Sequence, residues 1–91
     1  MDIFRINSFK QIPIKLKLGL RAASLLVEEY PMAEKYLSPL YDDHSYFILQ
    51  TNVCGYEGVG RFILGLLDDI EILEGEGLKE FLKERIMEAS F

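Results

Sequence analysis

The run VCGYEGVGRFILGLLDDIEILE, from Val53 to Glu74, narrows the possible folds more than any other segment, because a glycine-rich turn feeds an amphipathic helix and then a short strand. Val59, Phe62, Ile63 and Leu66 recur at i, i+3, i+4 and i+7, so they share one helical face and require a sheet to cover it. Half of an α/β sandwich is therefore encoded locally. Nothing in the run reads as catalytic.

The other half begins at Ile12. Ile12, Ile14, Leu16 and Leu18 alternate with Pro13, Lys15, Lys17 and Gly19, the period of a strand with one buried face. Pro13 cannot donate to a ladder and belongs at the strand's start or on an unpaired side. Leu20 to Tyr30 is rich in helix formers, with Ala23, Leu26, Val27 and Tyr30 on one stripe, and Pro31 ends it. Two strands are expected at Tyr36–Tyr41 and Ser45–Val53, joined by a turn at Asp42, Asp43 and His44. In the second, Phe47, Leu49, Thr51 and Val53 share one face, and Tyr46, Ile48, Gln50 and Asn52 the other. A helix from Gly58 to Leu67, a strand from Ile70 to Leu73 and a break at Glu74–Gly77 follow. The last helix carries Leu78, Phe81, Leu82, Ile86 and Ala89 as its apolar stripe.

The fold class expected from this order is α+β, a ferredoxin-like βαββαβ sandwich with an added C-terminal helix. Right-handed crossovers place both inner helices on one sheet face. Lys15, Lys17, Tyr46, Ile48, Gln50 and Glu71 then fall on the opposite face, open or covered by a partner.

A chain of 91 residues holds one core, and its hydrophobic fraction of 49% leaves some apolar surface exposed, the mark of a contact surface rather than a catalytic pocket. The net charge of -5 argues against general attraction to nucleic acid or anionic lipid. The single cysteine, Cys54, allows no internal disulfide and fits a cytoplasmic setting; it reads as a small buried residue. The first residues lack the apolar run of a signal peptide, and charges or glycines punctuate every apolar segment, so no membrane span is expected.

The candidate sites are sparse. Gly55, Gly58 and Gly60 before Arg61 suggest an anion cradle, but the loop has no Walker or dinucleotide spacing, and Glu57 opposes an anion; close packing explains the glycines better. GYEGVGRF is also similar to the acylphosphatase loop, yet it precedes the second helix rather than the first. His44 with Asp42 and Asp43 is a poor metal set, and no metal or cofactor is expected. Tyr46 and Tyr56 with Lys15, Lys17 and Gln50 would suit a nucleic-acid-binding sheet face, against the acidic charge balance.

PIKLKLGLRAASLLVEEYPMAEKYL, a hairpin, and GVGRFILGLLDDIEILEGEGLKEFLKERI together resemble the C-terminal extension (WCX) domain of WYL-domain transcriptional regulators, over about residues 12 to 88. Ala22 and Ala23, Arg61 to Leu67, Ile70 to Leu73, and Leu78 to Leu82 carry most of the likeness. Gly75 stands where that family commonly has a proline. The resemblance implies a linker from a preceding WYL domain at residues 1–11 and the WCX-like domain at 12–91. It further implies a bacterial parent chain that binds DNA through a winged helix-turn-helix, and a WYL domain of SH3-like barrel type that senses a ligand. The extension would make homodimer contacts or help complete a site for a nucleic-acid or small-molecule effector. Arg61, Tyr56, Lys15, Lys17 and Tyr46 are the candidate contact residues, with no enzymatic role. A different reading is an ACT-like sensor, a dimer that binds amino acids and commonly has a glycine in its first strand-to-helix turn, as Gly19 is here.

Overall fold

The computed structural model of the chain describes residues 3–4, 11–40 and 45–89. The elements run β1 (Ile12–Gly19), α1 (Leu20–Glu29), a 3₁₀ helix (Pro31–Tyr36), β2 (Leu37–Pro39), β3 (Tyr46–Val53), α2 (Glu57–Leu64), β4 (Ile70–Glu74) and α3 (Glu76–Ala89). The strands form one four-stranded sheet in the order β2-β3-β1-β4, antiparallel at every pairing. This α+β arrangement is compatible with the ferredoxin-like fold expected.

The alternation of β1 decides the layering. Ile14, Leu16 and Leu18 are buried, whereas Lys15 and Lys17 are only half-buried. Their register extends this face across the sheet: Leu37 pairs with Leu49, Leu49 with Leu16, and Leu16 with Ile72. One apolar row thus crosses all four strands. Ala22, Ala23 and Leu26 of α1, Val59, Phe62 and Ile63 of α2, and Leu78 and Leu82 of α3 join the same core.

Several elements depart from expectation for identifiable reasons. The strand expected at Tyr36–Tyr41 shrinks to Leu37–Pro39, because Pro31 starts a 3₁₀ helix that Ala33, fully buried, pins to the core. Pro39 donates nothing to a ladder and suits this edge. The turn at Asp42, Asp43 and His44 lies outside the described residues. α2 ends at Leu64 rather than Leu67: Leu66 N–H donates to the Ile63 carbonyl and Asp69 N–H to the Leu66 carbonyl, both at 2.9 Å. These tight turns bury Leu66 and leave Leu67 outside. The break at Glu74–Gly77 contracts to Gly75, whose φ of +141° other residues rarely adopt, so β4 gains Glu74 and α3 starts at Glu76.

The apolar stripe of α3 is anchored only in its first half. Leu78 and Leu82 are buried, but Ile86 is 46% exposed, since the helix has by then passed the core. Ile3 and Phe4, which fall in the expected linker, are buried, with the Phe4 ring 5.0 Å from Tyr30 and 6.2 Å from Phe62.

α3 packs on α2 through a small residue. A Cβ on Gly60 would lie 2.8 Å from Cε1 of Phe81. Gly60→Val should therefore lower stability by about 1–3 kcal/mol through overpacking. Urea denaturation together with amide exchange checks this; unchanged protection of α3 would show that the helices do not meet through Gly60.

Candidate interaction surface

The open sheet face follows from the register. Lys17 stands between Ile48 of β3 and Glu71 of β4, and Lys15 between Gln50 and Glu74. Tyr46, Gln50, Asn52, Glu71 and Leu73 are exposed, and no side chain of this face enters the core. Lys17 Nζ lies 4.5 Å from the centroid of the Tyr46 ring, a cation–π contact worth about 0.5–1 kcal/mol at an exposed site. Two ion pairs, Lys79 to Glu76 and Lys83 to Glu80, lie on α3. The face is thus a band of lysines beside a tyrosine, flanked by two glutamates at the β4 side.

Of the five candidate contact residues, Lys15, Lys17 and Tyr46 come together here, while Tyr56 and Arg61 belong to the helical layer. The Tyr56 ring is half-buried, 5.8 Å from Phe81, and its hydroxyl overlies Gly77, where a Cβ would collide with it. It is a packing residue between α2 and α3. Arg61 is exposed on the outer stripe of α2 with Glu57 and Leu64. Arg61→Ala should change stability by less than about 0.5 kcal/mol, so an effect on a binding assay would report contact rather than folding. A larger loss by thermal denaturation would show that the guanidinium holds the fold.

Of the glycines in this turn, Gly60 is accounted for by the same packing. Gly60 N–H donates to the Tyr56 carbonyl at 2.7 Å, within the helix, and the side of Gly60 without a Cβ receives Phe81. Cys54 is buried. Among the described residues no group of three or more His, Cys, Asp or Glu side chains is placed to hold a metal ion, and no helix is long and apolar enough to cross a membrane.

One residue of consequence escaped the reading of the sequence. α1 begins at Gly19 with no capping side chain of its own, and Asp69, from the loop before β4, supplies the cap: Ala22 N–H donates to Asp69 Oδ2 at 2.7 Å. Gly19 N–H donates to the Asp69 carbonyl at 2.9 Å. The first strand-to-helix turn is thereby filled from within the fold, with a carboxylate where the positive helix end would otherwise attract an anion. The signal available was indirect, a helix whose start lacks Ser, Thr, Asp or Asn. The adjoining cleft of about 350 Å³ is lined by Lys17, Tyr46, Asp68, Asp69 and Glu71, an acidic balance.

The chain matches no family model, no curated protein and no solved structure.

Proposed function

We propose that this chain is the C-terminal regulatory and oligomerisation domain, the WCX domain, of a bacterial WYL-family transcriptional regulator, without enzymatic activity of its own. The observation that carries the reading is the sheet order β2-β3-β1-β4 with helices packed on one face and a polar face left open. A ferredoxin-like βαββαβ core with an added helix is the arrangement the resemblance calls for. Exposed Leu20, Met32, Leu67 and Met87 add apolar surface suited to a neighbouring WYL domain or a second subunit. In this reading the parent chain works in the cytoplasm and contacts DNA only through its helix-turn-helix.

The ACT-like reading has less support, because the Asp69 carboxylate already takes the Ala22 amide in the first turn of α1. Single-strand binding on the sheet face is likewise weakened by Glu71 and Glu74 beside the lysines.

Sequencing the genomic DNA upstream of the Met1 codon tests the proposal. The expected result is a reading frame that continues back through a β-barrel and a winged helix-turn-helix. An in-frame stop codon immediately before Met1 would sink it.

A further inference from the structure

The two edges of the sheet are not alike. At one, β2 is three residues long and Pro39 has no N–H to offer, so a further strand finds little to pair with. At the other, β4 is bonded to β1 along one side only. Gly19 N–H donates to the Asp69 carbonyl, so by the alternation of an antiparallel ladder Asp69 and Glu71 turn their backbone groups to β1. Ile70 and Ile72 turn theirs outward. Among the described residues no backbone hydrogen bond is made on that outer side.

The side chains along this edge alternate as well. Ile70 and Ile72 pack against the core but are only half-buried, although Leu16 and Leu49, in the same row as Ile72, are fully buried. The apolar row is thus open at its β4 end. Glu71 and Glu74, opposite Lys17 and Lys15, are exposed on the other face. Lys17 rests over the Tyr46 ring, and neither glutamate is ion-paired among the described residues.

We propose that the outer edge of β4 takes an extended segment of a partner protein as a fifth strand, a segment in which basic and apolar residues alternate. Backbone pairing with Ile70 and Ile72 supplies the attachment, as in strand addition at an exposed sheet edge. The apolar residues continue the row past Ile72, and the basic ones stand beside Glu71 on the open face. A second copy of this chain is the wrong occupant, because its β4 would set Glu71 and Glu74 against the same acids. The pairing is short. Lys15 opposes Glu74 and Leu16 opposes Ile72, so Leu73 is an extra residue whose bulge bends the strand beyond it. Binding is therefore weak, and salt reduces it.

Amide exchange of the full chain, followed residue by residue by NMR, tests this with a short capped peptide that alternates lysine and valine. The amides of Ile70 and Ile72 should exchange at least about tenfold more slowly with the peptide present, because bonded N–H groups are protected. A peptide alternating glutamate and valine should leave them unchanged. So should one with its lysines in one block and its valines in another, which cannot sort the two kinds to opposite faces. Glu71→Lys should reverse the preference between the lysine and glutamate peptides. Exchange that ignores the lysine peptide at its highest soluble concentration would overturn the proposal. Equal protection by either control peptide, or a preference unmoved by Glu71→Lys, would overturn it too. None of these outcomes bears on the regulator reading, which the upstream reading frame decides.

Discussion

Leu16→Ala is expected to remove about 3–5 kcal/mol of stability, close to the upper end for a leucine truncated in a core. Leu16 is fully buried on the central strand, bonded on one side to β3 and on the other to β4, and it is the middle of the apolar row that runs Leu37, Leu49, Leu16, Ile72. Neighbours on both sides are fixed by backbone ladders, so they cannot close over the space the side chain leaves. Domains are typically stable by about 5–15 kcal/mol, and this loss consumes a large part of that margin. Lys15→Ala, one residue away on the open face, should cost no more than about 0.5 kcal/mol. Urea titrations of the pair check the layering directly. Similar midpoints for the two variants would mean that β1 does not bury the face described.

The second large effect is expected at Gly19. A Cβ there would overlap the Asp69 carboxylate, whose Cγ would be 2.6 Å away. The backbone of Gly19 is extended, with φ −74° and ψ 173°, so its torsions tolerate any residue and the conflict is one of space. The carboxylate can swing aside only by giving up the Ala22 N–H, which leaves the start of α1 uncapped. Gly19→Val combines overpacking with loss of that cap and should cost about 2–4 kcal/mol. Asp69→Ala alone should cost about 0.5–2 kcal/mol. The double variant should cost clearly less than the two single losses added, because removing the carboxylate relieves the collision. Strict additivity in a double-mutant cycle would show that the two positions do not meet.

What could be read from the residues, and what could not, divides by the range of the interactions involved. The faces of β1 and β3 were legible because a strand with one buried side must alternate, and slipping by one residue would turn Leu16 and Leu18 to water. That same alternation placed Lys15, Lys17 and Tyr46 together. The helical candidates were harder: Tyr56 and Arg61 are close in sequence, yet one wedges against α3 and the other faces solvent, and only the approach of Phe81 and Gly77 separates their roles. The 3₁₀ helix at Pro31–Tyr36 was not legible because Pro31 reads as the end of α1 and Tyr36 as the start of a strand, whereas Pro31 and buried Ala33 favour a tight turn of helix. Asp69 reaches α1 from a loop 47 residues downstream, a contact no local pattern encodes.

The placement of β1 in the middle of the sheet also governs when the chain can acquire its structure. β1 precedes both of its partners in the chain, and its flanks are supplied by β3 and, last of the described strands, by β4. A nascent polypeptide halted before Ile70 would hold β1 with one bare margin, open to pairing with whatever extended segment it met. Synthesis of this domain therefore has a built-in wait, and β4 decides when the second margin of β1 is covered.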